Sequence, residues 1–268
     1  MLNRVFTDQL QLGLGQSAVA ALLAFAVVLL ARGRKVHLEA EAAVALVRGL
    51  VQIIAVGSVL VVLLQGPRWT GAFLLGAMIL AAGAISTKRA KGIPGSYLVS
   101  TYSIACGAGS VIAIMTWLGV IDTAITSLIP VGSMLIANAM NTNGLVLNRF
   151  HSDVLAHVGE IETALALGAS PRQSIAPYIQ ASFETSLIPA IDSLRSLGIV
   201  WIPGLMAGML LSGSRPIYAA IYQFVVLTMI FAASGLTSLV STMLIRKHIF
   251  TSADQLLLRP GFSHKLSE

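Results

Sequence analysis

Long apolar runs of bilayer-spanning length recur along most of this chain, and they constrain its fold more than any other feature. A helix needs about 20 apolar residues to cross the hydrocarbon core of a bilayer. Inside lipid the backbone must satisfy its own hydrogen bonds, which apolar runs of this length achieve as α-helices. The sequence therefore predicts an all-α, polytopic transmembrane bundle of about seven spans. The predicted spans are 12–31, 42–65, 70–87, 97–120, 125–148, 197–213 and 217–245.

The composition excludes an ordinary soluble domain. Hydrophobic residues make up 56% of the chain and charged residues 10%, whereas soluble domains carry about 25% charged residues. The net charge of +6 does not indicate nucleic-acid binding, because the basic residues lie in short clusters between apolar runs. Cys106 is the single cysteine, so an internal disulfide is excluded. We expect an integral membrane protein in contact with lipid, with no nucleic-acid partner.

The basic residues also predict an orientation. If the N-terminus lies outside, thirteen of the 17 Lys and Arg residues fall on inner loops and three on outer loops. Such an excess of positive charge is typical of the cytoplasmic side. Residues 12–31 are taken as a span, since no basic segment precedes them and no small-residue cleavage site follows. We expect one integral membrane domain, residues 1–268, with its N-terminus outside and its C-terminus inside.

The inner connection after the fifth span is too long and too periodic for a simple linker. Its stretch from about 150 to 186 contains apolar residues at helical spacing, namely Val154, Val158, Ile161 and Leu165. This spacing predicts an amphipathic helix. Gly168 can end that helix in a left-handed conformation. Ser170 and Pro171 then predict the start of a second helix, which runs toward Ser186 with a kink at Pro177.

Two functions suit this inner helix. It could lie on the lipid surface as an interfacial helix, or it could dock onto a partner protein. The segment from Glu162 to Pro171 resembles the coupling loop of ABC-transporter permeases, in which a short helix before a glycine sits in a groove of the ATPase. The usual Ile-x-Leu-Pro ending is absent after Ile179. The resemblance implies these ATPase-coupling residues: Glu162, Ala164, Gly168, Ala169 and Ser170.

The flanking motifs resemble one permease family more closely. They are Arg48-x-x-x-Gln52, Ile129-Pro130-Val-Gly-Ser-Met134-x-x-x-Asn138-Ala-Met140, Ile188-Pro189-x-x-Asp192-Ser193-x-Arg195-x-x-Gly198, Pro203-Gly204-x-Met206-x-Gly208 and Tyr222-Gln223. Over about residues 40–248 this pattern resembles the FetB-type ABC permeases, which are bacterial subunits implicated in iron export. Plant relatives are tied to aluminium tolerance and in one case to UDP-glucose transport. Arg195 stands where the family pattern leads us to expect Lys, which keeps the charge but changes its geometry.

This resemblance implies a half-transporter in the bacterial inner membrane, in which two copies of the chain work with two separate ATPase subunits. The sequence contains no G-x-x-x-x-G-K-[ST] motif, so it cannot hold nucleotide phosphates as a P-loop does. ATP and Mg are therefore expected on the ATPase partner, with no cofactor on this chain. No catalytic residues are predicted either, because no nucleophile is paired with a base.

A few polar residues and one methionine, within or beside the spans, are candidates for the transport pathway or its gate. They are Arg48, Gln52, Asn138, Asp192, Ser193, Arg195, Met206 and Gln223. Arg48 and Gln52 lie one helical turn apart, and an arginine inside a span needs a partner, water or a route to the headgroups. We expect either that Arg48 snorkels to the inner surface or that it joins Asp192 and Arg195 in a charged cluster.

Metal ligands are not fixed by the sequence. Methionine thioethers bind soft metals, and they also fill gaps between helices, so both roles stay open for Met134, Met140, Met206 and Met209. The five histidines all fall on the predicted inner side rather than in spans. The leading hypothesis is a metal exporter driven by ATP; an ion-coupled secondary transporter and a membrane scaffold that recruits a soluble partner are the alternatives.

Overall fold

A computed structural model describes residues 9–32, 39–63, 66–67, 69–88, 95–251 and 255–258 of the 268. The chain divides into two compact units, Met1–Gly66 and Pro67–Glu268. No β-strand occurs among these residues, and every long element is a helix. The predicted all-α class is confirmed.

The first unit is a pair of apolar helices that contact each other, α1 (Gln9–Arg32) and α2 (Glu39–Leu63). Large apolar side chains on both helices are exposed, such as Leu22, Leu30 and Val47. Exposed apolar surface of this extent suits lipid rather than water. The predicted spans 12–31 and 42–65 fall on these helices, although residues 64 and 65 lie outside the described part of the chain.

The second unit contains the other helices. They are α3 (Trp69–Thr87), α4 (Ser96–Ile104), α5 (Ser110–Trp117), α6 (Ile125–Ala156), α7 (Val158–Ala166), α8 (Pro171–Ser196), α9 (Gly204–Leu211) and α10 (Pro216–Ile245). A π-helical turn, Ala105–Gly109, joins α4 to α5 within one rod, and a 3₁₀ turn, Arg246–His248, extends α10. Helices α6 and α10 pack against each other and against α8. Helix α3 packs against α4 and α6, and α4 also packs against α10.

Two apolar clusters hold the second unit together. The first joins α3, α6, α10 and the rod of α4 and α5, through residues such as Leu135, Ile104 and Val226. The second joins the C-terminal ends of α6 and α10 to α7 and the start of α8, and it includes Phe150 and Ile161. The inner connection therefore has a hydrophobic anchor of its own.

Four helical segments in the described part of the chain are long and apolar enough to cross a membrane. They are Gln11–Leu30, Trp69–Thr87, Ser96–Trp117 and Pro216–His248, and α2 adds the shorter apolar stretch Ala42–Ser58. These segments match five of the predicted spans. Helix α6 coincides with the predicted span 125–148 and continues to Ala156, but asparagines at 138, 141 and 143 make its middle more polar.

The predicted sixth span, 197–213, is wrong as a single helix. Helix α8 continues from Pro171 to Ser196, well beyond the predicted end near Ser186. The chain then turns at Gly198, whose φ is 74°, and only the eight residues of α9 return to a helical conformation. Eight residues span about 12 Å, too little to cross a bilayer. The sequence motif at Pro203 and Gly204 is consistent with this interruption, whereas the turn at Gly198 was not predicted.

Small residues in the π-helical turn allow the fourth predicted span to lie directly against α10. A Cβ placed on Gly107 would lie 1.9 Å from Thr237 Oγ1, 2.7 Å from the Thr237 backbone nitrogen and 2.8 Å from the Ala233 carbonyl oxygen. Backbone atoms cannot move aside as a flexible side chain can. The small-residue run 105–109 therefore serves close packing within one chain.

Replacing Gly107 by Ala should force α10 away and lower thermal stability, by about 1–3 kcal/mol for an overpacked contact. Gly109→Ala is the matched control, because its Cβ would meet only Ile79 Cδ1, at 3.8 Å. In a helix this control should be neutral or slightly stabilising. Thermal unfolding of both purified variants in one detergent measures the difference, and equal melting temperatures would contradict the packing argument.

Candidate functional site

The predicted amphipathic helix of the inner connection is divided in two at His157. Helix α6 ends at Ala156 and α7 begins at Val158, and His157 has φ −120° and ψ 26°, outside the helical region. Val154 and Ile161 are both buried, as the spacing predicted. The prediction of one continuous helix was wrong. Apolar periodicity identifies the buried face, but two successive helices that bury the same face give the same periodicity as one helix.

A chain of polar contacts surrounds this break. Arg149 Nε lies 2.9 Å from Asp153 Oδ2, and His157 Nδ1 lies 2.8 Å from the Asp153 backbone oxygen. The His157 ring stacks on Tyr178, with centroids 5.1 Å apart. The Tyr178 hydroxyl donates to Glu160 Oε2 over 3.2 Å. These contacts join the end of α6, the start of α7 and α8, and so fix the direction in which α7 leaves.

The underside of α7 rests on the second apolar cluster. Ile161 is 1% exposed and packs in this cluster with Ile175 of α8 and Ile245 of α10. Leu256 and Leu258 of the C-terminal segment complete the cluster. That segment folds back on itself, with the Leu257 nitrogen donating to the Ile249 carbonyl over 2.8 Å. The C-terminal segment thus supports the helix from below, a role that its sequence did not indicate.

A tight turn joins α7 to α8 as the sequence predicted. Gly168 has φ 89°, the left-handed conformation that glycine adopts without strain. Ser170 caps α8 in a capping box, in which the Gln173 nitrogen donates to Ser170 Oγ and the Ser170 nitrogen donates to Gln173 Oε1. Pro171 is the first residue of α8. The predicted C-cap and N-cap are confirmed.

The outer face of this turn is open. Glu162, Gly168 and Ser170 are exposed, and Ala164 and Ala169 are half-buried. Leu167 is 84% exposed, although it is a large apolar side chain at the tip of a polar connection. Sequence reasoning placed Leu167 within the coupling segment without selecting it. We define this open face, residues 162–170, as the coupling surface.

The charged residues predicted near the sixth span lie at the C-terminal end of α8. Asp192 Oδ1 and Arg195 Nη1 are 4.0 Å apart, with side chains 62% and 78% exposed, so the two charges are only loosely paired. Ser193 Oγ donates to the Pro189 carbonyl. Ser196 Oγ accepts from Trp201 Nε1 over 3.1 Å, which holds the turn that follows α8.

Arg48 and Gln52 are both exposed on α2 of the first unit. Asp192 and Arg195 belong to the second unit. The predicted cluster of Arg48, Asp192 and Arg195 therefore stays a prediction.

Gln223 has a structural task that the sequence did not predict. It is 1% exposed, and its Oε1 accepts from the backbone nitrogen of Met206, in the first turn of α9, over 3.3 Å. The first backbone N–H groups of a helix have no partner within it, so Gln223 caps α9 from a neighbouring helix. Its Nε2 has no hydrogen-bond partner among the described residues.

The candidate metal ligands are distributed over different surroundings. Met134 and Met140 are half-buried and pack against the first apolar cluster, which is the packing role. Met206 and Met209 lie on α9, where no residue is fully buried. Asn138 Nδ2 donates to the Met134 carbonyl within α6. Among the residues that the structure describes, no group of three or more His, Cys, Asp or Glu could hold a metal ion.

A layer of buried hydroxyl groups lies between the helices of the second unit. Asn143 is fully buried and its Nδ2 donates to Ser86 Oγ at 2.7 Å and Ser100 Oγ at 2.9 Å. Ser186 of α8 and Ser238 of α10 are 2.9 Å apart through their hydroxyls. Neither Asn143 nor these serines were among the predicted site residues. In a membrane bundle such contacts join helices where lipid offers no hydrogen bond.

Comparison with protein families agrees with this architecture. A family model described as "Uncharacterised protein family (UPF0014)" matches residues 14–250. The membrane protein STAR2 of Oryza sativa subsp. japonica is 34% identical over 242 residues, which cover 89% of this chain and 84% of that protein. The Protein ALUMINUM SENSITIVE 3 of Arabidopsis thaliana is 30% identical, with 91% and 90% covered.

A bacterial relative is named for transport. It is the Probable iron export permease protein FetB of Escherichia coli (strain K12), 30% identical over 242 residues, which cover 90% of this chain and 93% of that protein. No solved structure matches. The family resemblance inferred from the motifs is confirmed, and so is the assignment to an integral membrane protein.

Tyr178→Phe should loosen α7 from α8 by removing the hydrogen bond to Glu160, which contributes about 0.5–1.5 kcal/mol. Burial and this bond raise the pKa of the Tyr178 phenol above its usual 10.0. Its contribution is therefore complete below about pH 10 and is lost as the pH rises through the higher folded-state pKa. Hydrogen exchange of residues 158–166 measures the loosening. Tyr97→Phe is the control, since the exposed Tyr97 makes no hydrogen bond among the described residues.

Gln223→Leu should fray α9, because the Met206 nitrogen loses its acceptor while the new side chain has a similar size. The loss of a helix cap costs about 1 kcal/mol. Hydrogen exchange should rise at residues 204–208 by about fivefold and stay unchanged in α3, which serves as the internal reference. Unchanged exchange in α9 would show that Gln223 does not cap it.

Proposed function

Because the chain belongs to the UPF0014 family, which includes a bacterial protein named as a probable iron export permease, we propose that it is the membrane subunit of an ATP-driven metal-ion exporter. In this proposal two copies of the chain form the transport path and two separate ATPase subunits supply the energy. Iron is the first substrate to test. ATP hydrolysis and the bound Mg belong to the ATPase subunit.

The coupling surface carries this proposal. A docking helix must be short, accessible on one side and firmly held on the other, so that a push from a partner moves the helices behind it. Helix α7 has nine residues, rests on Ile161 and is joined to α8 by the Tyr178–Glu160 contact. Its outer side presents Leu167, whose burial by a partner would add about 1.5–3 kcal/mol.

The charged end of α8 is the candidate gate. Asp192 and Arg195 are loosely paired and exposed, so they can exchange partners at small energetic cost. A rearrangement in which Asp192 pairs with Arg48 on α2 would open or close the path when the ATPases engage. The proposed path is lined by polar or soft groups from Gln52, Asn138, Ser193 and Met206. Gln223 holds α9 in position through its hydrogen bond to Met206.

An ion-coupled secondary transporter is the second candidate, and the exposed Asp192 favours it. A carboxylate that alternates between Arg195 and a proton or cation could couple transport to an ion gradient without ATP. Transport by liposomes that contain only this chain distinguishes the two. Metal efflux that follows an imposed proton gradient without any ATPase would overturn the proposal of an ATP-driven exporter.

The decisive experiment compares Gly168, on the coupling surface, with Gly159, in the first turn of α7. Gly168→Ala forces a side chain into φ 89°, a strain of about 1–2 kcal/mol at the turn. Gly159→Ala, the matched control, has no atom within 4 Å of its Cβ and no positive φ. Co-purification with a candidate ATPase and vanadate-sensitive ATP hydrolysis should fall about tenfold for Gly168→Ala and remain at the wild-type level for Gly159→Ala.

Leu167→Glu tests the docking contact itself without strain in the backbone. Because the Leu167 side chain is exposed, we expect this variant to fold as the parent does, and ATPase assembly should be lost. Full coupled hydrolysis in both Gly168→Ala and Leu167→Glu would show that the ATPase does not dock here. Metal accumulation in cells that lack the gene then tests the substrate, with iron, manganese and copper(I) compared.

A further inference from the structure

A cavity between α8 and α10 combines two arginines with an apolar wall. Its volume is about 310 Å³, and the residues that line it are Arg172, Ala176, Ile179, Gln180, Phe183, Leu239, Thr242 and Arg246. No acidic side chain is among them. None of these residues belongs to the coupling surface or to the candidate gate.

The lining residues form one stripe on each helix. On α8 the stripe begins at Arg172 and ends at Phe183, and on α10 it runs from Leu239 to Arg246. The two helices are antiparallel, since Ser186 meets Ser238 while Ile175 and Ile245 share the second apolar cluster. Both guanidinium groups therefore lie at the same end of the cavity, and the apolar side chains lie at the other.

Neither arginine is neutralised by a carboxylate of the described residues. Among the described residues the ion pairs are Arg149 with Asp153 and Arg195 with Asp192, and neither Arg172 nor Arg246 belongs to one. The nearest acidic residue along α8, Glu184, accepts a hydrogen bond from Gln180. Guanidinium groups bind phosphate oxygens in a bidentate manner. The charged end of the cavity therefore suits a phosphate group.

The apolar end continues onto the outer face of α10. The exposed fractions of Leu236, Leu239 and Met243 are 36%, 42% and 55%. Their spacing of three and four residues places them on one face of the helix, and Arg246 continues this face at its C-terminal end. In an integral membrane protein an exposed apolar stripe contacts acyl chains. The cavity thus lies where an acyl-chain surface meets a positive charge, as it does at the level of the lipid headgroups.

We propose that this cavity binds the phosphate headgroup of an anionic phospholipid, with Arg172 and Arg246 on the phosphate and the acyl chains along Leu239 and Phe183. Its volume lies at the lower end of ligand pockets, about 300–1,000 Å³, which is enough for a headgroup with the chains outside. Free phosphate would leave the apolar wall unused. An acidic protein partner would not need the continuation along Leu236 and Met243.

Native mass spectrometry of the full chain in detergent tests the site, with phosphatidylglycerol and phosphatidylcholine as probes. The wild-type chain should retain phosphatidylglycerol in preference to phosphatidylcholine. The double variant Arg172→Gln, Arg246→Gln should bind phosphatidylglycerol about tenfold more weakly, since each basic residue near a membrane surface favours anionic lipid. Lys247→Gln is the matched control: Lys247 is exposed next to Arg246 but does not line the cavity, and its effect should stay within about twofold.

Several results would overturn the proposal. They are equal retention of the two lipids, unchanged binding by the double variant, or displacement of the lipid by inorganic phosphate at the same concentration. Loss of ATPase assembly in the double variant, with lipid binding intact, would assign the arginines to a protein contact instead. If the double variant does not fold, each single substitution and Leu239→Asn, which makes the wall polar, test the same site with the same two lipids.

Discussion

Backbone hydrogen bonding in lipid is the constraint on which the rest of this structure depends. Wherever the chain is helical, its backbone N–H and C=O groups are paired within the helix. Where a helix breaks, these groups need other hydrogen-bond partners. At the turn before α8 the capping box of Ser170 and Gln173 satisfies the free N–H groups. At the start of α9 the buried side chain of Gln223 does so from another helix. Each break is therefore held in place by a particular side chain.

The breaks also mark the candidate functional regions. The break at His157 and the turn at Gly168 create the coupling surface, and the turn at Gly198 separates Asp192 and Arg195 from α9. Between these two regions the second unit is closely packed, with Gly107 against α10 and a hydroxyl contact between α8 and α10. A rigid middle with two irregular ends is the arrangement expected of an element that transmits motion.

The sequence predicted those parts of the fold that depend on local patterns. Apolar runs located most helices, and Gly168, Ser170 and Pro171 located the turn before α8, because turn and cap residues act over a few positions. It failed where distant residues decide the outcome. The cap that Gln223 gives α9 and the support of α7 by Leu256 both depend on contacts between segments far apart in the chain. Leu167 and Tyr178 were missed for a similar reason, since their exposure and partners exist only in the fold.

Helix α8 links every candidate functional region of the second unit. Its 26 residues extend about 39 Å, from the cap at the coupling surface, past Arg172 and the cavity, to Asp192 at the candidate gate. Pro177 and Pro189 lie inside it, and each removes one backbone hydrogen bond without ending the helix. If the ATPase tilted the N-terminal end of α8 at Gly168, the movement would displace Asp192 at the other end of the same helix. The helix could bend only where Pro177 and Pro189 weaken its hydrogen bonding. A lipid held between Arg172 and Arg246 would fix α8 to α10 close to the first of these prolines and so limit where the helix can bend.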